Sequence, residues 1–330
     1  MYNKTFRKRN GVNALNKRYK ILMIIMVLLL IGISLMGYDS NNEPLNVSET
    51  ATETQNFPME FTDGIGNIVT IHAKPERIIS LVPSHTEILY ALGLGDKVMG
   101  VTQFCDYPEE VKDKPKVGDS FSINLEKILE LDPDLVIQYW GMDDDLKKQL
   151  EDAGITLITF SPESISQTLD TIQKIGTATD TREKADEIVS TIQNKQNEIK
   201  SIMKDAPILK VFYEIEYSSA LWTAGEGSFI DEIITLGGGQ NVAKDAVGAY
   251  AQYSVESLLE KDPQVYVTNT FNMAYQTYDD IKDRPGFDGL SAIKNGRIEI
   301  LDGNILSRPS QRVIEALELM AKAIHPELFK

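Results

Sequence analysis

Short apolar runs of strand length recur along the chain: Arg77 to Val82 (RIISLV), VMGVT at 98–102, the DLVI run at 134–137 and ITLITF at 155–160. Between them lie segments whose apolar residues return every three or four positions. Buried parallel strands alternating with amphipathic helices produce this pattern, so an α/β architecture is expected. Phe61 to Ile71 alternates instead with period two, and Asp63-Gly64 and Gly66-Asn67 supply turn signals, which predicts an edge hairpin ahead of the first strand. From Ile165 to Lys204 the pattern is helical almost throughout. Gly176 is expected to break it and Thr181 to restart a run of about 24 residues, roughly 35 Å long at 1.5 Å per residue. A second strand-helix series starts at Leu209 in βαβ fashion and ends in a closing helix from Pro309 to Ile324.

The two series are related. NLEKILELDPDLVI at 124–137 returns as SVESLLEKDPQVYV at 254–267, with Glu126, Leu129, Glu130, Asp132 and Pro133 matched by Glu256, Leu259, Glu260, Asp262 and Pro263. Each copy reads as a short helix, a turn at Asp-Pro and a buried strand. Two half-molecules of one design, joined by a long helix, would face each other across a cleft suited to ligand capture. The expected organisation is 1–38 as a signal peptide or amino-terminal membrane anchor, 39–58 as a flexible tether, 59–163 as the first lobe, 164–205 as the bridging helical segment and 206–330 as the second lobe.

Lys4, Arg7, Lys8, Arg9, Lys17, Arg18 and Lys20 precede an apolar stretch from Ile21 to Met36. That arrangement exports the downstream chain, either by cleavage or by retention in the membrane. Leu35-Met36-Gly37 is followed by Tyr38 rather than Cys, so anchoring is expected to come from the apolar helix itself. Residues 39–58 hold too little apolar surface to offset the entropy of ordering them. They include Asn46-Val47-Ser48, which fits the glycosylation triplet. Beyond residue 40 there remain 26 Lys+Arg against 48 Asp+Glu, a net charge of −22, which excludes nucleic acid as a partner. One cysteine, Cys105, excludes an intrachain disulfide and any multi-thiolate metal cluster.

Candidate chemistry gathers at strand ends. In open α/β sheets ligands sit beyond the carboxyl ends of the strands, beside helix amino termini. Ser84 with Glu87 three residues on reads as a capping box after Pro83, and Gly93 ends that helix; Ser228 and Asp231 echo the box before FIDEIITLGGG. Ser84, His85, Gly225 and Ser228 are therefore cleft candidates. No enzyme is indicated. His72, His85 and His325 are far apart and carry no paired metal-ligand spacing, Asp143-Asp144-Asp145 reads as a helix amino terminus rather than a calcium loop, and Gly237-Gly238-Gly239 follows a helix and so reads as its stop.

RIISLVPSHTEILYALGLGDKVMGV, CDYP, VGDSFSINLEKILELDPDLVI, GGGQNVAKDA and YSVESLLEKDPQVYV together resemble the substrate-binding proteins of ABC importers for cobalamin, haem and ferric siderophores, over about residues 75–328. CDYP with VPSHTEILYALG is most similar to the cobalamin-binding branch. The resemblance implies two Rossmann-like lobes bridged by one long α-helix, with the ligand between them and no cofactor. It places Ser84, Phe104, Tyr139, Trp222, Tyr250, Asn304 and Arg308 at ligand-facing positions, with Phe121 beside the position of an expected Trp. Asn304 stands where the family has Asp.

A corrin or porphyrin is a wide apolar plate with a polar rim, and it wants aromatic faces such as Phe104, Tyr139, Trp140, Trp222 and Tyr250. His85 could give an axial ligand to the metal of that plate. The resemblance further implies that Glu126 and Glu256, one per lobe, dock the protein on an ABC permease dimer coupled to its ATPase. The expected function is capture of a corrinoid and its delivery to that permease, by a monomer tethered to the outer face of the cell membrane, or secreted or periplasmic if the leader is cleaved. The alternatives are haem or a ferric siderophore as ligand, or a surface-anchored carrier not coupled to transport.

Overall fold

The computed structural model describes residues 56–119, 122–139, 144–271 and 277–329. The apolar leader, nearly all of the tether, Phe121, Trp140 and Asp143 lie outside the described residues. No helix among the described residues is long and apolar enough to cross a membrane.

The hairpin forms as β1 (Met59–Thr62) and β2 (Ile68–Ile71), paired antiparallel with Thr62 opposite Ile68. Asp63 closes the turn: its carboxylate accepts hydrogen bonds from the backbone N–H of Ile65 at 3.0 Å and of Asn67 at 2.8 Å. The first sheet is wholly parallel and contains β3 (Ile78–Ser80), β4 (Val98–Val101), β5 (Leu135–Gln138) and β6 (Thr156–Thr159) in the order β4-β3-β5-β6. Every residue of β3 and β5 is buried, as strands covered on both faces require.

The helix after β3, α1 (Pro83–Ala91), points its amino terminus beyond the strand end. The first repeat copy forms α2 (Leu125–Glu130), and α3 (Asp144–Asp152) precedes β6.

The bridge is a pair of helices, α4 (Ile165–Ala178) and α5 (Arg182–Met203). Its longer member has 22 residues, about 33 Å. It buries Ala185, Val189, Ile192, Ile199 and Met203, a stripe at helical spacing. Gly176 does not break α4, contrary to expectation; the helix runs two residues past it. A Cβ at this position would stand 2.5 Å from the Cβ of Ala185, so the glycine permits the close approach of α5 after the corner.

The second sheet is mixed. Strand β7 (Leu209–Tyr217) serves two partners: its first part pairs parallel with β9 (Gly239–Asn241), and its last part pairs antiparallel with β8 (Leu221–Ala224). On its other edge run β11 (Val265–Asn269) and β12 (Ile298–Leu301), both parallel, while β10 (Tyr250–Tyr253) pairs antiparallel with β8. The βαβ expectation thus holds for the core of this lobe, and an antiparallel ribbon, β8 with β10, is added at its edge. Helix α6 (Phe229–Leu236) follows β8, and the second repeat copy forms α7 (Val255–Lys261).

The repeat is reproduced in local geometry. Asn124 and Ser254 each cap their helix by accepting a backbone N–H three residues on, and Asp132 and Asp262 both take the left-handed conformation, with φ of 47° and 46°.

Helices α8 (Tyr278–Lys282), α9 (Ser291–Lys294) and α10 (Gly303–Ser307) lead to α11 (Val313–Ile324), which starts four residues later than the sequence suggests because 309–312 form an irregular turn. This last helix packs on α4, α5 and α6. One buried cluster runs through it, from Ile78, Ile88 and Leu135 on the first sheet side through Ile172, Val189 and Leu317 to Val211 and Val267 on the second. The helices therefore share a continuous apolar core with both sheets.

Candidate functional site

A cavity of about 740 Å³ opens between the two sheets, within the 300–1,000 Å³ usual for small-molecule sites. The first-sheet side contributes Val82, Pro83, Ser84, Phe104 and Tyr139; the second contributes Tyr213, Ile215, Glu216, Trp222, Ile230, Tyr250 and Phe271; Leu306 to Pro309 close one flank. Aromatic rings thus come from both halves. Phe104, Trp222, Tyr250 and Phe271 are unusually open for rings of their size, at 46%, 37%, 55% and 50% exposure, and all four face this one space.

Each ring is held by its own element. Trp222 and Tyr250 stand on the antiparallel ribbon, where Gln252 is opposite Trp222 and Tyr250 is opposite Ala224. Tyr139 follows β5 and donates its hydroxyl to the carbonyl of Pro162 at 2.9 Å. Burial raises the pKa of the Tyr139 phenol, and Glu163 raises it further against a hydrogen bond from Ser161. The Tyr250 phenol is raised by burial first, then by Tyr139 and Glu163. Burial pushes up Tyr213 as well. All three hydroxyls therefore stay protonated at neutral pH; Tyr139 spends its proton on Pro162, and Tyr250 can donate to a polar rim.

Ser84, nearly buried, lines the cavity, but the capping box proposed around it does not form. Val82 occupies the cap position with Pro83 first in the helix, and no side chain caps the end. Proline at the first helical position is favourable because its missing N–H would have lacked a partner anyway. Glu87 is freed for another role. Its buried carboxylate accepts hydrogen bonds from Arg312 at 2.9 and 2.6 Å, Ser310 at 2.7 Å and Arg308 at 3.1 Å. The Arg312 guanidinium also lies 4.2 Å from the ring centre of Tyr107. A buried ion cluster thus ties α1 of the first lobe to the turn ahead of α11.

The expectation that His85 faces the cleft is corrected. Its ring is fully buried behind the wall, stacked on Tyr139 with ring centres 6.0 Å apart and edge-on to Phe160 at 5.8 Å. Neither ring nitrogen has a hydrogen-bond partner in the structure. Burial lowers its pKa to about 3, which keeps it neutral. The one-residue step from Ser84 turns it about 100° around the helix, from cavity to core.

Asn304 is likewise outside the cavity lining, in the first turn of α10 where its backbone N–H bonds the Asp302 carboxylate at 2.8 Å. Gly225 and Ser228 do not line the cavity either. Ser228 does cap α6, accepting the Asp231 N–H at 3.1 Å. A Cβ at Gly225 would lie 2.4 Å from the Gly248 carbonyl, so that glycine serves backbone packing.

Sequence reasoning missed Tyr213, Ile215, Glu216 and Phe271. Tyr213 and Ile215 alternate on one face of β7 and could have been read from period two. Glu216 would belong to the opposite face, but the β7–β8 register shifts between Glu214 and Glu216, and this bulge turns it toward the cavity.

Glu126 and Glu256 are both exposed, each in the first turn of its repeat helix. Ser254 donates to the Glu256 carboxylate at 2.6 Å and holds its pKa below the usual value. Among the described residues no group of His, Cys, Asp and Glu is arranged to hold a metal ion.

Two lobes around an aromatic cavity, braced by one helical spine, define a ligand-capture protein. The periplasmic binding protein family model matches residues 78–305, and the chain belongs to that family. It is 36% identical over 311 residues to an uncharacterized ABC transporter substrate-binding lipoprotein, YvrC, of Bacillus subtilis, covering 92% of this chain and 96% of that one. A solved structure of a possible iron-binding periplasmic solute-binding protein from Staphylococcus epidermidis is similar at TM-score 0.68 and 32% identity, over 77% of this chain and all of that one. The periplasmic vitamin B12 binding protein BtuF of Vibrio cholerae is similar at TM-score 0.67 and 29% identity, over 78% and 99% of the two chains.

The protein is thus a non-enzymatic, extracytoplasmic substrate-binding protein of the ABC-importer class. It binds a transported ligand rather than a cofactor.

Proposed function

We propose that this chain captures a corrinoid outside the cell membrane and delivers it to an ABC permease. The observation that carries the reading is the ring-lined cavity between the lobes, where Phe104, Tyr139, Trp222, Tyr250 and Phe271 present faces for a wide apolar plate. Ser84, Arg308 and the Tyr250 hydroxyl meet the polar rim of the ligand. His85 gives no axial ligand to its metal, because the ring lies behind Tyr139.

The loaded protein docks through Glu126 and Glu256, whose matched positions in two repeat copies suit a two-subunit permease. Export and tethering fall to the amino-terminal apolar segment. The sole thiol, Cys105, is buried in the first lobe and gives no point for lipid attachment, which supports an anchor made by the segment itself.

Calorimetric titration of the full chain in detergent with cyanocobalamin and, separately, hemin tests the ligand. Submicromolar cyanocobalamin binding, weakened at least about tenfold by Tyr139→Ala, is expected, since one lost aromatic contact is worth roughly 1.4 kcal/mol. A tight hemin complex without cobalamin binding would reassign the ligand to haem.

A further inference from the structure

The described cavity lining carries two formal charges, Glu216 and Arg308, and they are not equivalent. Arg308 is already engaged. Its Nη1 donates to Glu87 at 3.1 Å and to Asp106 at 2.6 Å, and its Nη2 donates to the Phe104 carbonyl at 3.4 Å. Glu87 in turn takes two hydrogen bonds from Arg312. Two carboxylates and two guanidiniums make a cluster with no net charge, so Arg308 offers an incoming anion little unspent attraction.

Glu216 differs. It is exposed on the cavity side of the β7 bulge, opposite Trp222 in the β8 register, and accepts one hydrogen bond from the Ser218 hydroxyl at 2.5 Å. No cation pairs with it among the described residues. Glu163 adds to the negative field, since it acts on the phenols of both Tyr139 and Tyr250, two of the lining rings.

We infer that the cavity selects its ligand by charge: Glu216 disfavours chelates whose rim carries carboxylates and favours a plate whose rim carries amide N–H donors. The inference rests on the proposed reading of a planar chelate in this cavity and names the specificity residue within it. A carboxylate is an acceptor only, so an amide N–H of the ligand makes a charge-assisted hydrogen bond to Glu216, whereas a ligand carboxylate placed there meets like charge. At separations of several ångström in a partly solvated site the repulsion amounts to a discrimination on the order of tenfold.

The test uses two pairs of ligands that differ in rim charge and not in ring. Cyanocobalamin is compared with its tricarboxylate, made by hydrolysing three peripheral amides, and hemin is compared with its dimethyl ester. The full chain in lipid nanodiscs and its Glu216→Gln variant are titrated with all four at neutral pH. The wild type is expected to prefer the uncharged-rim member at least about tenfold, with the preference falling below about threefold in Glu216→Gln.

Equal affinities within a pair for the wild type, or an unchanged preference in the variant, would overturn the inference while leaving corrinoid capture standing if cyanocobalamin binds. A Glu216-dependent preference confined to the porphyrin pair would uphold the charge selection and refute the corrinoid reading. Failure of all four ligands to bind would overturn both. Circular dichroism and the melting temperature of Glu216→Gln separate a lost preference from a lost fold.

Discussion

Replacing Glu87 with Gln would leave two buried guanidiniums facing an amide that can accept at only one of its two ends. Glu87 has no exposed side-chain surface, and it receives four hydrogen bonds from three side chains of the turn that precedes α11. Removing one partner of a buried ion pair costs about 3–5 kcal/mol, because the remaining charge stays desolvated. Arg308 keeps Asp106, so the expected loss lies near the low end, about 3 kcal/mol. For a unit of this size that corresponds to a fall in melting temperature of roughly 6–12 °C.

Urea unfolding followed by far-UV circular dichroism measures the free energy, and scanning calorimetry measures the shift. The double variant Glu87→Met with Arg312→Met removes both charges and is expected to recover at least about half of the loss. A loss below about 1 kcal/mol in Glu87→Gln, or no recovery in the double variant, would refute the view that this pair is a buried, mutually dependent contact between α1 and the turn before α11.

The buried neutral His85 predicts a stability slope with pH. Its folded pKa of about 3 lies below the unfolded value of 6.5, so the unfolded chain binds the extra proton between these limits; its contribution is full above pH 6.5 and is lost as pH falls toward 3, by up to roughly 1.4 kcal/mol per pH unit. Urea midpoints at pH 7 and pH 5 in the wild type and His85→Leu check this, and equal slopes in the two would contradict it. Gly118→Ala forces a Cβ to within 2.2 Å of the Ser122 carbonyl at a φ of 127°, and a loss of about 2 kcal/mol or more is expected in the same denaturation assay. Charge reversal of both Glu126 and Glu256 to Arg should lower importer-dependent uptake by about tenfold or more while ligand affinity in solution stays at the wild-type value; unchanged uptake would remove the docking role.

The local half of this architecture was legible because its causes are local. The repeat at 124–137 and 254–267 shows the cap, the short amphipathic helix and the Asp-Pro turn in the sequence itself, and both copies adopt one geometry down to the left-handed aspartate. The spine was legible for the same reason, as a run of helix formers with an apolar stripe. Phe104, Tyr139, Trp222 and Tyr250 meet at one cavity, Tyr139 directly after a strand as the pattern suggests, but Trp222 and Tyr250 from within the β8–β10 ribbon rather than from strand ends.

What escaped was decided by partners far away in the chain. Ser84 and Glu87 satisfy the spacing of a capping box, yet Glu87 pairs with residues 221 to 225 positions later, and their charges outweigh a neutral cap at an end where proline has already removed one donor. The same cluster engages Arg308, which the sequence places at a ligand-facing position without showing its carboxylate partners Glu87 and Asp106. Glu216 escaped for a different reason: a bulge in β7 breaks the alternation that would have hidden it on the far face. The two contacts act together on the electrostatics of the cleft. Counting the charged residues of the lining gives one of each sign, Glu216 and Arg308, whereas pairing them leaves the carboxylate as the unmatched charge among the described residues. Ligand class in a cavity of this kind therefore depends on which charges are already paired, and that is set by contacts between segments that the linear pattern keeps apart.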